Sequence, residues 1–537
     1  MEAKPAEEQI SYDQDTGEAL DVPIYYTGWR LHGISAWLLL SLFVAQMDTS
    51  ITSTAILTIT DQLGGFEKYS WVFTAYMLSF CGFQLVWAKL SDIISRKTAI
   101  IISLSMFTLF SGACAASRTL IQLIMFRWIQ RIGGGGIFAL TQLVFFELVP
   151  PIRWPLYVSL VTGVVALSLA VGPLIGGAIA LRGQWKWIFL LNVPTCGTAL
   201  IGLFVIFPAK LRNEPSAQDD SGSFTIKSLR RIDVLGSLLL LGACLLISTG
   251  LQQAALGYAW QSSLVLPLLL ITVPLVVAFF IWEWYITSRR GYPEPVFPWR
   301  FCQSRIRIGM MLNTYLWGTV LMICLIQIPQ RFMTVYGLSP FNAALRLLTF
   351  GAFVPAGSSI AAALMGKLKI PPCFIILAGA ALQLVGAILL SDIPTDTVIH
   401  PRQYGFQILL GTGIGFVACG LILLVPFAME KRDLAVGTAS ISQFRVLGGL
   451  ISIGIATSLS TPYLRTHLTD VLPPELAYSV LEKTENMYSL PIEVREGVKA
   501  VFGKSFNLQI KMVIGFSAAQ FPATWLMWTG QTVNPVG

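Results

Sequence analysis

The sequence is short of charge. Lys, Arg, Asp and Glu make up 12% of its 537 residues, against about 25% in an ordinary soluble domain. With 55% apolar residues and a mean hydropathy of +0.69, the chain cannot be a water-soluble globule. Histidine is scarce: only His32, His400 and His467 occur, which leaves little for a metal site. The eight cysteines are scattered, mostly inside apolar runs, without paired spacing. They read as small apolar residues rather than a disulfide frame or metal site. No Gly-x-x-x-x-Gly-Lys-Ser/Thr loop occurs, which excludes an ATP-driven pump. Neither a His/Cys/carboxylate cluster nor a nucleophile elbow occurs, so an enzyme is not expected and no cofactor is implied. The lack of any Asn-X-Ser/Thr sequon argues against N-glycosylation.

What the chain has instead is long apolar runs. At roughly 20 residues per crossing, spans fall near 34–57, 70–88, 98–117, 121–148, 156–180, 187–208, 233–253, 263–285, 308–330, 343–366, 372–391, 403–428, 435–459 and 506–528. Residues 1–30 hold no such run. They are acidic (Glu2, Glu7, Glu8, Asp13, Asp15, Glu18 and Asp21) and read as a disordered cytoplasmic tail, not as a signal peptide. Basic residues gather in the loops at 89–97, 153, 209–231, 286–307, 367–369 and 431–432, which share one side of the membrane if the N-terminus does. The excess of Lys and Arg marks that side as cytoplasmic. It also accounts for the net charge of +8 without nucleic acid. Both termini are then cytoplasmic, and 461–504 forms one large extracellular loop.

The two longest basic loops set off a middle pair of spans, with six before it and six after. The expected domains are the tail 1–30, a six-helix bundle over 31–208, linker loops with two extra helices over 209–307, and a second six-helix bundle over 308–537. This is an all-α integral membrane fold of fourteen helices in a six, two and six arrangement. Repeats of that kind bind substrate near the midplane, at their interface.

Between the second and third runs lies Ala88-Lys89-Leu90-Ser91-Asp92-Ile93-Ile94-Ser95-Arg96-Lys97, a ten-residue polar hinge. It resembles the signature loop between spans 2 and 3 of the major facilitator superfamily. In that family the loop closes a latch between the two halves, so the resemblance implies that Asp92, Arg96 and Lys97 are gating residues. Ala88 and Ser95 replace two glycines of the family pattern, and as small residues they preserve a close approach.

Asp48 sits in the middle of the first span, in Gln46-Met47-Asp48-Thr49-Ser50. A carboxylate at bilayer depth costs about 2.5–3.5 kcal/mol on insertion scales, so it should face a cavity or a partner. Burial disfavours the charged form, which suits a site that loads and releases protons. The bland alternative is a packing acid bonded to neighbouring Ser or Thr. The stretch resembles the first-span motif of fourteen-spanner drug–proton antiporters, although Met47, Ser53, Ile56 and Leu57 depart from it. Arg127-Trp128-Ile129-Gln130-Arg131-Ile132-Gly133 is similar to the fourth-span Arg-x-x-Gln-Gly-x-Gly motif. A buried arginine does not release its proton, so Arg127 would act by biasing a carboxylate, for which Asp48 is the candidate. Arg131 stands one turn from Arg127. Either it snorkels outward or the cavity is tuned for an acidic group. The four glycines 133–136 let a neighbouring helix come close.

Ser168 to Gly177 carries the most diagnostic run. Small residues at 168, 172 and 176 form a close-packing face, and Pro173 interrupts the helix. Its Gly172, Pro173, Gly176 and Gly177 resemble the fifth-span motif of exporters in this superfamily. Trp185-Lys186-Trp187-Ile188-Phe189 adds to the match, with both tryptophans placed as interfacial anchors. In the second half, Gln443-Phe444-Arg445-Val446-Leu447-Gly448-Gly449 resembles a thirteenth-span motif of the same branch. Candidate cavity residues are Gln46, Arg131, Gln327, Gln407 and Arg445, while intramembrane glutamines such as Gln383 also serve as helix glue. Glu147 and Glu283 lie near inner helix ends and read as wet.

The resemblance is to the fungal fourteen-spanner drug–proton antiporter branch. It implies a monomeric exporter of small amphipathic drugs, toxins or secondary metabolites, driven by the proton gradient in the plasma membrane, with a vacuolar membrane as the alternative. The rival within transporters is a proton-coupled importer of a siderophore, amino acid or other small acidic solute. A membrane sensor is the rival of another class, but the long signalling domain it usually carries is not in this sequence.

Overall fold

A computed structural model describes residues 25–63, 69–180, 183–208, 233–255, 258–289, 293–396, 398–430, 433–482, 487 and 490–528. Residues 1–24 of the expected tail and most of the first basic loop (209–232) lie outside the described residues. Within them the fold is built from helices. A chain in lipid must satisfy its backbone polar groups internally, and the helix does so within one segment.

The first group comprises α1 (Gly28–Leu63), α2 (Tyr69–Ile94), α3 (Arg96–Ala116), α4 (Leu120–Leu148), α5 (Trp154–Ala180), the short α6 (Lys186–Leu190) and α7 (Asn192–Ile206). A middle pair follows, α8 (Val234–Ala255) and α9 (Val265–Arg289). The second group holds α10 (Arg305–Thr334), α11 (Pro340–Lys367), α12 (Pro372–Ser391), α13 (Arg402–Ala428), α14 (Leu434–Thr469), α15 (Pro474–Glu482) and α16 (Ile492–Leu526). In the first group α1 packs on α5, and α4 on α2 and α3; in the second α13 packs on α11 and α12, and α10 on α14 and α16. The groups meet along two seams, α2 against α14 and α5 against α11.

Among the described residues, twelve spans are long and apolar enough to cross a membrane, with α6 and α7 counting together as one. Helices α2 and α16 have spanning length but are not among the twelve, so fourteen crossings is more than length and composition establish. The first turn of α16 carries Glu493, Arg495 and Glu496, which belong in water.

Local chemistry moved several expected boundaries. The ten-residue hinge is one residue long: α2 runs to Ile94, and α3 begins at Arg96. The reversal falls on Ser95, at φ +80°, a region that glycine tolerates and serine rarely enters. Its hydroxyl accepts from the Thr98 N–H and caps α3. The sixth span is broken after Leu190. Pro194 lacks an N–H for the Leu190 carbonyl and crowds it, which is why the ladder lapses there. The expected loop 461–504 is mostly helix: α14 runs on to Thr469 and α16 starts at Ile492. With α15 they enclose their own apolar cluster, which includes Leu468, Leu472, Val480 and Val498.

The middle pair does not stand apart. Helix α8 packs against both α2 and α14, one from each group. At each contact a leucine fills the space a side chain would take on a glycine. A Cβ on Gly82 would lie 1.9 Å from a methyl of Leu241, and one on Gly454 would lie 2.7 Å from the Cβ of Leu251.

Candidate functional site

Asp48 is fully buried on α1. Its Oδ1 accepts from Asn192 Nδ2 at 2.9 Å and from Gln130 Nε2 at 3.4 Å. Its Oδ2 lies 3.4 Å from Arg127 Nη1. The expected Asp48–Arg127 pairing is therefore present. Two further groups serve it: Gln130 sits one turn beyond Arg127 on α4, and Asn192 opens α7 at the helix break. Gln130 also donates to Ser111 Oγ at 2.8 Å, tying in α3. The Arg127 guanidinium lies 5.2 Å from the Phe189 ring. A carboxylate with three donors around it inside lipid is a structure built for charge, and one arginine is its counter-ion.

Arg131 does not snorkel. Its side chain is 1% exposed and points inward, donating to the Ala45 carbonyl at 2.7 Å and to Thr49 Oγ1 at 2.9 Å, with the guanidinium 4.0 Å over Phe80. A carbonyl, a hydroxyl and a ring face together make a neutral cradle for the cation. The like charges of Arg127 and Arg131 thus diverge onto different partners. The glycines after them do bring α3 close: a Cβ on Gly133 would fall 2.4 Å from the Ser103 carbonyl.

At the far end of α4, Glu147 is buried rather than wet. It holds Arg96 through contacts of 2.9, 3.1 and 3.2 Å. Arg96 also lies 2.7 Å from Asp92 and donates to Ser91 Oγ at 2.6 Å. Lys97 takes no part. Its ammonium caps the C-terminus of α7 by donating to the Phe204 and Phe207 carbonyls at 2.9 and 2.7 Å. Glu283 is likewise buried. Beside the same end, Lys89 bridges to Glu294 at 3.1 Å and Arg300 to Asp433 at 2.5 Å.

The exporter-like motif packs α5 on α1 beside Asp48. A Cβ on Gly172 would fall 2.0 Å from Ser50 Oγ and 3.0 Å from the Met47 carbonyl. Ser50 also donates to the Ser168 carbonyl at 3.2 Å. Gly176 is buried, Pro173 lies inside a continuous α5, and Gly177 would meet nothing within 4 Å. Trp185 is no interfacial anchor: it is buried and donates to Gln62 Oε1 at 2.9 Å. Trp187 is 54% exposed, as an anchor requires.

Between the two groups lies a cavity. Its walls are largely apolar, with Phe138, Leu169, Leu321 and Phe350 prominent, and its polar members are Gln142, Thr162, Trp317, Ser442 and Arg445. Of the five expected cavity residues only Arg445 lines it; Gln46, Arg131, Gln327 and Gln407 lie elsewhere. Gln142 and Ser442 were not singled out from the sequence, and they join across the groups by a 3.1 Å hydrogen bond. The signal for Gln142 was its spacing: eleven residues beyond Arg131, it returns to the same side of α4. Toward the end where Glu147 lies, Phe146 and Val158 of the first group pack on Met365, Ile375 and Phe416 of the second.

Residues 38–453 match the profile of the Major Facilitator Superfamily. The MFS-type transporter FPY5 of Fusarium mangiferae is 34% identical over 499 residues, covering 92% of this chain and 83% of that one. The efflux pump aflT of Aspergillus parasiticus is 26% identical, over 86% of this chain and 87% of its own. Among solved structures, the human organic anion transporter MFSD10 superposes with a TM-score of 0.58 at 12% identity, over 93% of this chain and 99% of that one. At that identity the likeness is one of fold alone.

Proposed function

The chain belongs to the Major Facilitator Superfamily and is a membrane transporter rather than an enzyme, and on that premise we propose that it exports small amphipathic compounds in exchange for protons. Drugs, toxins or secondary metabolites are the substrate class that its fungal efflux-pump relatives suggest. The proposed topology keeps fourteen crossings, as bundles of six, two and six, with both termini in the cytoplasm. Plasma membrane is the proposed location and a monomer the proposed state.

The observation that carries this reading is Asp48: a fully buried carboxylate with one arginine beside it, packed against the glycine face of α5. Protonation neutralises the carboxylate and weakens its hold on Arg127 and on the Gln130 and Asn192 amides. These donors sit on α4 and α7, so the proton state of Asp48 bears on how α1, α4 and α7 pack. Alternating access follows if that repacking parts the contact between Phe146 and Met365 while the other end closes. The cluster of Asp92, Arg96 and Glu147 stands at the same end as the proposed gate, and Lys97 serves it only by fixing α7.

The test is transport into inside-out vesicles with an acidic lumen, wild type against Asp48→Asn, using lipophilic cations, neutral drugs and acidic compounds. Gradient-driven uptake that Asp48→Asn abolishes, with binding retained, supports antiport. Normal transport by the variant removes Asp48 from the mechanism. Arg445 in the cavity keeps one part of the importer reading alive, since it favours an acidic solute in either direction.

A further inference from the structure

Arg445 is 5% exposed. It faces the cavity, with its guanidinium 4.9 Å from the Phe138 ring and 5.8 Å from the Trp317 ring. Among the described residues it makes no hydrogen bond and no ion pair. The contrast with the other buried arginines is sharp: Arg96 has two carboxylates, Arg127 has Asp48, Arg131 has a carbonyl and a hydroxyl, and Arg331 has Asn507, Tyr336 and the Pro394 carbonyl. Among the described residues no Asp or Glu lines the cavity. Within the same walls the Trp317 indole N–H also lacks a hydrogen-bond acceptor. Two donors are thus aimed into an apolar chamber that supplies no anion.

The backbone carrying Arg445 is held rigidly. A Cβ on Gly318 of α10 would lie 2.0 Å from the Arg445 carbonyl oxygen, and one on Gly448 would lie 2.1 Å from the Tyr315 carbonyl. Thr319 Oγ1 donates to the Gly448 carbonyl at 3.1 Å. Two helices touching backbone to backbone fix the point from which the side chain departs. An uncompensated charge in low dielectric is strongly unfavourable, and a planar guanidinium is the side chain best matched to a carboxylate or sulfonate.

Resting on the export reading above, we propose that the transported compound is an amphipathic organic anion, with Arg445 binding its acidic head and the Phe138, Leu321 and Phe350 walls taking its apolar body. Trp317 completes the head-group site as a neutral donor.

A matched pair of probes tests it, namely 2-naphthalenesulfonate and the neutral 2-naphthalenesulfonamide, with tetraphenylphosphonium as a cation. Binding to full-length protein in lipid nanodiscs is measured alongside uptake into inside-out vesicles. Wild type should bind the sulfonate at least about tenfold more tightly than the sulfonamide, as a charge-assisted pair requires. Arg445→Gln should erase that preference and leave sulfonamide binding within about threefold, while Arg445→Lys keeps part of it. Removing an uncompensated charge should leave the ligand-free melting temperature of Arg445→Gln equal to or above wild type, so loss of binding is not loss of fold. Equal binding of the two probes, or an unchanged sulfonate affinity in Arg445→Gln, overturns the proposal. If tetraphenylphosphonium or the sulfonamide is driven by the gradient and the sulfonate is not, export stands and the anion assignment falls. If the sulfonate binds through Arg445 but no probe is driven, the site stands and export falls. If no probe binds, the anion site is refuted.

Discussion

Removing the carboxylate of Glu147 should destabilise the protein more than a typical point substitution. Its side chain is 6% exposed and that of Arg96 is 1% exposed, with the nearest N–O contact at 2.9 Å. At an effective dielectric of about 20, unit charges about 4 Å apart attract by about 4 kcal/mol. Taking one partner from a buried pair has an observed cost of about 3–5 kcal/mol, because the other charge stays behind. Asp92, 2.7 Å from Arg96, tempers the loss, which sets the expectation for Glu147→Leu near 3 kcal/mol. Glu147→Gln keeps one acceptor and should cost about 2 kcal/mol, the range for a charged hydrogen bond. The assay is reversible unfolding in mixed micelles. A second arm combines Glu147→Leu with Arg96→Leu, which removes the stranded cation and should recover at least about 1 kcal/mol of the single-variant loss. A Glu147→Leu protein within about 0.5 kcal/mol of wild type, the range of ordinary surface changes, would refute this account of the α4 terminus. So would a double variant less stable than the single one.

Asp48→Asn should destabilise by stranding Arg127, and Arg127→Met in the same chain should restore unfolding stability without restoring proton-coupled uptake; recovery of both would show that the pair is only structural. Gly318→Ala should cost about 1–3 kcal/mol or more, because its new methyl meets the Arg445 backbone rather than a flexible side chain. Gly177→Ala, with nothing within 4 Å, should stay within about 0.5 kcal/mol of wild type in the same unfolding assay. Ser95→Gly should raise stability by about 1–2 kcal/mol: relief of an unfavourable φ contributes about 1–3 kcal/mol, and replacing the Ser cap of Thr98 by Gly offsets only about 0.3. A lower midpoint for Ser95→Gly would mean the serine is held there by contacts worth more than the strain.

Residue type at bilayer depth made much of the site legible. An acid and an arginine at depth in neighbouring spans tend to meet, and Asp48 and Arg127 do. Asp92 and Arg96 were legible for the same reason, since a reversal between them keeps both at one helix end. Glu147 was not, because its partner lies 51 residues away and hydropathy places an acid near a helix end in water by default. Arg131 was misplaced because the one-turn argument weighed only its repulsion from Arg127. A long side chain reaches several directions from one Cα, and the Ala45 carbonyl and Phe80 ring lay within that reach. The helical part of 461–504 escaped because a hydropathy window finds what lies in lipid, not where a helix ends. Its apolar residues Leu468, Leu472, Val480 and Val498 face one another, so the segment has a small core of its own.

Helix α8 seats Leu241 in a notch on α2 and Leu251 in a notch on α14. A transporter that alternates must shear these two surfaces past one another, yet here a third helix is pegged to both. Under the alternating access proposed above, each cycle would pull one peg from its notch and seat it again. The middle pair would then act as a ratchet on the cycle, with a barrier set by how well two leucines fit two glycines. Enlarging either glycine should alter turnover without touching the chamber, and shaving either leucine should free the motion. Turnover rate and substrate choice would then be written in separate parts of the chain, and each is open to change without the other.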